Sequence, residues 1–522
     1  MKGPQKFAEH AHVVTEFNPA CENRQTLEGW HLSRRFQETC DRFPDKVAIT
    51  DGVSCVSYSA LNQLVRTIGR RMKDAGVNEG DHVAVSAPRS TKYIASILAI
   101  LHIGAVYVPI PQNLPAVRQR ELLSSSQAKF LIGSAGQFPD KSALLFVDLE
   151  LLDAATDEEL DCKWHAIAYI AFTSGSTGVM KGAVNTTAGL LNHLDAKIAD
   201  CQLTPNDVVA QTAETSFCVH IWQMLAPLLV GSSITIVKQE TLIDVPSLLK
   251  KLKDDDVTVA QFVPTYWRLL LEELSSQDGC LHLATLVLTG EIVPTELCRA
   301  TFKAVTLDRL INAYGQTECA DDVSHYVMTR PPDAAMNVVP IGKAIQNSSV
   351  TVRRPSGAEC DLGEVGEIVV DGIPVALGYL NDREATESAF SAAPDFKGRR
   401  YHTGDLGRYL ATGDIECLGR TDYQIKISGQ RVEIGEIEAA LRLHPAVRDA
   451  AVIYPDVNDE RCLVAFIQIT ENVHENSLRL FLRNTVPLYM IPQQFIFRDA
   501  LPMNANGKMD RRRLYDEHTR RA

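Results

Sequence analysis

A run of apolar residues, Ile170-Ala-Phe172, passes without a break into Thr173-Ser-Gly-Ser-Thr-Gly178 and, after Val179 and Met180, into Lys181-Gly182. The pattern reads as a buried strand that opens into a loop of glycines and small hydroxyl residues. Glycine lets backbone N–H groups close around phosphate oxygens, Thr173, Ser174, Ser176 and Thr177 add donors, and Lys181 adds charge. Ligands gather at the carboxyl ends of strands in layered α/β sheets, so this segment commits the chain to such a sheet with an anion-binding loop at its edge. The spacing does not fit G-x-x-x-x-G-K-[ST], so an ordinary P-loop NTPase is not implied.

The rest of the chain agrees with that architecture. From about Leu32, helical periodicity alternates with short β-rich runs: Val47–Ile49, Val83–Val85, Val106–Ile110, Phe130–Ile132, Val208–Thr212, Ser233–Val237, Thr258–Phe262 and Thr285–Leu288. This alternation predicts α/β layering with much parallel sheet. Near residue 360, Gly363, Gly366, Gly372 and Gly378 punctuate apolar runs such as Glu367–Val370, which predicts a small barrel-like β region. A boundary falls at Gly419–Asp422. Beyond it, Ile434–Leu443 and Ser477–Asn484 read as helices, and Ala450–Tyr454 and Leu463–Ile469 as strands. The expected organisation is a core over 1–422 and a small α+β domain over 423–522, as a chain of 522 residues requires more than one unit.

A net charge of −13 argues against nucleic-acid binding, and the basic run Arg511–Arg513 reads as a solvated tail. Twelve cysteines without CxxC spacing suit a reducing compartment, with most thiols buried. The N-terminus lacks the apolar stretch of a secretory signal. The apolar segment Ile94–Ile110 is interrupted by His102, Gly104 and Pro109 and predicts a helix followed by a buried strand rather than a membrane span. A cytoplasmic enzyme without a membrane partner is the simplest host for these features.

Thr173-Ser-Gly-Ser-Thr-Gly178 with Lys181-Gly182 resembles the signature of the adenylate-forming superfamily, which includes nonribosomal-peptide adenylation domains, acyl-CoA synthetases and luciferases. Further motifs follow in that family's order: Tyr107-Val-Pro-Ile110, Asn312-Ala-Tyr-Gly-Gln-Thr-Glu318, Tyr401-His-Thr-Gly-Asp-Leu406, Gly419-Arg-Thr-Asp-Tyr-Gln424, Gly429-Gln-Arg-Val-Glu433 and Asn506-Gly-Lys508. Together they cover about residues 30 to 515 and are most similar to a stand-alone adenylation domain. The resemblance implies ATP and Mg²⁺ as cofactors. It assigns Thr173 through Gly178 (Thr173, Ser174, Gly175, Ser176, Thr177, Gly178) and Lys181 to the phosphates, and Asn312, Ala313, Tyr314, Gly315 and Thr317 to the adenine side. Glu318 would hold the metal, a hard cation suited to a carboxylate. Asp405 would take the ribose hydroxyls and Arg420 a further ribose or phosphate contact. Lys508 would reach the α-phosphate from a mobile C-terminal domain that turns on a hinge at Asp422.

The same resemblance places the acid pocket on Phe217, Cys218, Val219, Trp222, Thr265, Val287, Thr289, Gly290, Ala313, Asp321 and Asp322. Relatives that take α-amino acids carry an aspartate where this chain has Cys218, and a thiol does not neutralise an ammonium at pH 7 unless ionised. An ordinary α-amino acid is therefore disfavoured. Asp321 and Asp322 put acid elsewhere, which suits a β-amino or other ω-amino acid; the combination of Trp222 with Asp322 is similar to β-alanine-type pockets. The alternatives are an aryl, hydroxy or keto acid with structural aspartates, an acyl-CoA synthetase, and a catalytically silent nucleotide sensor. Pro111 and Met180 depart from the family's usual residues. Only fourteen residues follow Lys508 and no Gly-Gly-x-Ser motif occurs, so a separate phosphopantetheinylated carrier protein is the expected acceptor.

Overall fold

The computed structural model describes residues 31–52, 54–133, 145–148, 160–173, 180–276, 280–333, 336, 338–393, 398–420, 424–427, 429–457, 460–502 and 509–520. The chain divides into two compact units. One comprises Met1–Pro111, Ser126–Ala171 and Gly182–Gly419; the other comprises Gln112–Ser125, Phe172–Lys181 and Arg420–Ala522.

The first unit has the α/β layering expected. Among the described residues, a nine-stranded sheet runs Lys343–Ala344, Asp321–Met328, Val305–Gln316, Leu281–Thr289, Val259–Phe262, Val208–Gln211, Ser233–Ile236, Val47–Thr50, Cys55–Ser57. Its central pairings are parallel, and only the strands at its two ends pair antiparallel. A six-stranded sheet places His82–Ser86 between Phe130–Gly133 and Val106–Pro109, with Ile167–Thr173 next to the latter. All residues of His82–Ser86 and Val106–Pro109 are buried, the near-continuous apolar reading of a strand covered on both faces. The segment Ile94–Ile110 is helix Thr91–His102, capped by Ser90 through a hydrogen bond from Tyr93 N, followed by a buried strand. Strand Leu281–Thr289 is longer than the run Thr285–Leu288 predicts, because it pairs with the twelve-residue strand Val305–Gln316 along its length.

The glycine-punctuated region forms a five-stranded sheet in which Val365–Gly372 lies between Ser348–Arg353 and Arg399–Tyr409, both antiparallel to it. Its core gathers Val352, Ile368, Val370, Tyr379, Phe390 and Tyr401. Arg400 and Asp371 pair face to face across two of its strands with two contacts of 2.8 Å.

In the second unit, hairpin Gln424–Ile427/Gln430–Glu433 leads into helix Ile434–Arg442, and Val447–Ile453, Val464–Ile469 and Gln494–Phe497 form a mixed sheet. The helix expected over Ser477–Asn484 is Glu475–Arg483, whose Leu478 and Leu482 are buried. The basic run is solvated only in part, with Arg512 and Arg513 exposed. It opens helix Arg511–Thr519, which Asp510 caps through Arg513 N, and Arg511 grips buried Glu438 with bonds of 2.6 and 2.8 Å from Nη2. A carboxylate 73 residues away, invisible to a reading of local charge, sets the fate of that run.

Candidate active site

Asn312, Ala313, Tyr314 and Gly315 lie near the carboxyl end of strand Val305–Gln316 in the large sheet. Side chains alternate along a strand, and here the alternation separates two surfaces. Ile311 and Ala313 join the core of the large sheets, while Tyr314 joins the core of the five-stranded sheet. Asn312 Nδ2 donates to Pro340 O at 2.8 Å and to Val339 O at 3.2 Å. Tyr314 Oη donates to Asp405 Oδ2 at 2.6 Å, and Gln316 Nε2 donates to the same oxygen at 2.8 Å. Asp405 N in turn bonds Thr403 Oγ1. Two donors on one oxygen fix the rotation of a buried carboxylate, and Gln316 is a contributor that the motif reading did not single out.

Glu318 follows on the short 3₁₀ turn Thr317–Cys319. It is fully buried, and Tyr379 Oη donates to its Oε1 at 2.8 Å while its carbonyl accepts from Ala376 N. An oriented carboxylate oxygen of this kind has the donor chemistry a hard divalent cation takes. After the turn the backbone is held in uncommon conformations, with φ of 57° at Ala320 and 97° at Asp321. A Cβ on Gly315 would lie 1.9 Å from Asp321 O, so glycine is what permits this close approach.

On the other surface, Cys218 precedes helix Val219–Leu225 and is buried with Trp222. Burial, and then the charge of Asp321, push its pKa up, so it stays a neutral thiol. Phe217 and Val219, on either side, are half-buried. Val287 and Thr289 lie buried on strand Leu281–Thr289, with Gly290 just beyond. Thr289 Oγ1 is 2.9 Å from Ala313 O and 3.1 Å from Asp322 Oδ1. Thr265 stands apart: it is exposed at the start of helix Pro264–Ser276 and bonds Glu291 through both its N–H and its hydroxyl.

Two residues that sequence reasoning did not name dominate the electrostatics here. Helix Thr187–Asp200, capped by Thr186, carries His193 and Lys197 one turn apart. Lys197 is fully buried, its Nζ 2.6 Å from Asp322 Oδ2 and 5.0 Å from the centre of the Trp222 ring. Burial disfavours both charges, but each holds the other ionised: Asp322 lies below the ordinary carboxylate range and Lys197 above the ordinary lysine value. Trp222 Nε1 donates to Gln261, so Lys197 bridges the tryptophan and aspartate that the sequence suggested as a pair. His193 Nε2 lies 3.8 Å from Asp321 Oδ2 and 3.9 Å from Asp322 Oδ2. Burial, and then the charge of Lys197, push its pKa down to about 3. A histidine and a lysine four residues apart among the alanines and leucines of helix Thr187–Asp200 were the available signal.

Thr173 closes strand Ile167–Thr173 and Lys181 opens strand Lys181–Thr186, with Thr173 Oγ1 3.5 Å from Lys181 O. Arg420 ends strand Ile415–Arg420. Ser174, Gly175, Ser176, Thr177, Gly178, Asp422 and Lys508 lie outside the described residues.

Burial of neutral histidines has a consequence for stability. His220, whose Nε2 bonds Tyr107 Oη at 2.9 Å, is likewise pushed down by burial, to about 4. Below pH about 6.5 the unfolded chain binds protons that the folded chain does not, so stability falls with acidification by about 1.4 kcal/mol per pH unit for each such histidine. Melting temperature measured from pH 7 to pH 5 should therefore drop steadily; a flat or rising profile would contradict neutral burial of His193 and His220.

The family model described as AMP-binding enzyme matches residues 36–380, and the model described as AMP-binding enzyme C-terminal domain matches residues 436–508. Among curated relatives, tyrocidine synthase 3 of Brevibacillus parabrevis is 31% identical over 491 residues, covering 92% of this chain and 8% of that protein. Enterobactin synthase component F of Escherichia coli (strain K12) is 32% identical over 503 residues, covering 92% of this chain and 39% of that protein. The chain thus spans a minor part of each relative's length. Among solved structures, NpsA-ThdA, an artificially fused adenylation–PCP didomain from Klebsiella oxytoca, superposes with a TM-score of 0.81 at 28% identity over 89% of this chain and 93% of that one. No helix among the described residues is long and apolar enough to cross a membrane.

Proposed function

We propose that this chain, which belongs to the AMP-binding enzyme family, activates a carboxylic acid with ATP as its acyl adenylate and passes the acyl group to the phosphopantetheine thiol of a carrier protein. The observation that carries the reading is strand Val305–Gln316, which presents Tyr314 and Gln316, fixed on Asp405, toward one core and Ala313 toward the other. A nucleotide side and an acid side then meet on one strand. The fused adenylation–PCP neighbour supports a carrier as acceptor.

In this reading the carboxylate oxygen of the acid attacks the α-phosphorus and pyrophosphate leaves; the thiol then attacks the acyl carbon and AMP leaves. Tyr314 stacks on adenine, with Asn312, Ala313, Gly315 and Thr317 forming the wall beside it, and Asp405 takes the ribose hydroxyls with Arg420 near by. Thr173, Ser174, Gly175, Ser176, Thr177, Gly178 and Lys181 hold the phosphates, and Glu318 holds Mg²⁺, which offsets phosphate charge. Lys508 meets charge building on the α-phosphate. The core of 1–422 binds both substrates, and 423–522 turns on Asp422 between the two half-reactions.

We further infer that the acid bears an amine set back from its carboxyl, as in a β-amino acid. Cys218 is a neutral thiol and offers no charge to an α-ammonium, whereas Asp321 and Asp322 place carboxylates at the start of the next strand. The ion pair of Asp322 with Lys197 favours one competitor, a neutral aryl, hydroxy or keto acid. Pyrophosphate exchange across α-amino, β-amino, ω-amino, aryl, hydroxy and keto acids separates them. Fastest exchange is expected with an amine-bearing acid lacking an α-amine. Exchange only with uncharged acids would remove the amine, and fast exchange with a common α-amino acid would remove the argument from Cys218.

A further inference from the structure

His193 packs beside Asp321 and Asp322, and its chemistry is not yet accounted for. It is 2% exposed, and among the described residues its Nε2 has no hydrogen-bond partner. Leaving a buried polar nitrogen unpaired is costly, and such an atom calls for a ligand. It does not face an apolar wall: carboxylate oxygens of Asp321 and Asp322 lie 3.8 and 3.9 Å away, and one donor atom from each of the three residues lies within 4.8 Å of the others.

Resting on the amine-bearing acid proposed above, we propose that His193 is a specificity-determining residue whose Nε2 accepts a hydrogen bond from the substrate's primary ammonium, completing a three-acceptor cradle with the carboxylates of Asp321 and Asp322. A primary ammonium has three N–H donors and no acceptor, so three converging acceptors match it atom for atom. The imidazole has the state this requires. Burial and the Lys197 charge keep it neutral, and the tautomer with its proton on Nδ1 presents the Nε2 lone pair. A protonated His193 would instead repel the amine.

Lys197 narrows the class of ligand. Its ammonium already lies against Asp322 Oδ2. A divalent metal ion in the same place would meet that positive charge with twice the repulsion of a monocation, so an ammonium fits the cluster better than a metal does. An N,N,N-trimethylated amine, which has no N–H to donate, is excluded from it.

The test uses the full-length enzyme, with the primary-amine acid that exchanges fastest in the wild type set against its deamino analogue. His193→Leu should lower the preference for the amine over the deamino analogue about 10- to 100-fold, the size of one lost hydrogen bond to a charged group. The loss should fall on KM for the amine, with exchange of the deamino analogue preserved. His193→Gln, whose amide oxygen can accept, should recover part of the preference and keeps the test open if the leucine variant folds poorly. Equal losses on both acids in either folded variant, or an unchanged preference in both, would overturn the role of His193. Failure of the wild type to exchange any amine-bearing acid would instead overturn the substrate reading on which it rests.

Discussion

Lys508→Ala should slow acyl-adenylate formation about 10²–10³-fold, the usual cost of removing a positioned group that meets charge developing in a transition state. Pyrophosphate exchange reads this step alone. Transfer of the acyl group from supplied acyl adenylate to a carrier thiol reads the other, and it should be spared. The two losses differ because pyrophosphate departs only in the first step, and in the proposed turn of the C-terminal domain Lys508 has left the site by the time the thiol expels AMP. The chain beyond the lysine is well anchored: Asp510 N donates to Pro502 O at 2.9 Å, and Arg511 holds Glu438, whose Oε1 also accepts from Val452 N. Equal loss in both assays would count against one lysine serving one half-reaction.

Asp405→Ala should cost about 10²-fold or more in kcat/KM for ATP. In the proposed function the substitution removes the acceptor of the ribose hydroxyls, and hydrogen bonds to charged groups contribute about 1.5–3 kcal/mol each. It also strips Tyr314 Oη and Gln316 Nε2 of their shared acceptor, so the tyrosine ring loses its tether. Asp405→Asn keeps an acceptor and should fall between. The loss should appear for every acid the enzyme takes, since Asp405 is assigned to the nucleotide alone; a variant that loses one acid and keeps another would move Asp405 out of the nucleotide site.

The sequence made the architecture legible where the physics is local. Alternation of helical and strand periodicity marks the parallel sheets because their strands are buried on both faces, and His82–Ser86 shows this in five consecutive buried residues. The pocket was legible only in part. Cys218, Trp222, Thr289 and Asp322 can be named from motif positions, but the state of Asp322 depends on Lys197, 125 residues earlier, and no short-range pattern reports a contact across that separation. Arg511 misled for the same reason, since its partner Glu438 lies in a different helix. Thr265 sits on the surface with Glu291, a pairing across 26 residues that position alone did not disclose.

Strand Val305–Gln316 carries one further consequence. Tyr314 and Gln316 serve one core and Ala313 the other, so in the proposed function the two substrates would be read by interleaved letters of a single word. In the proposed function, a combinatorial library confined to Val287 and Cys218 could retrain the enzyme toward new acids while its nucleotide affinity stays a fixed background, and specificity could diverge in evolution without renegotiating ATP. Gly315 is the letter common to both alphabets: with Asp321 O where its Cβ would stand, it is the position at which such drift stops.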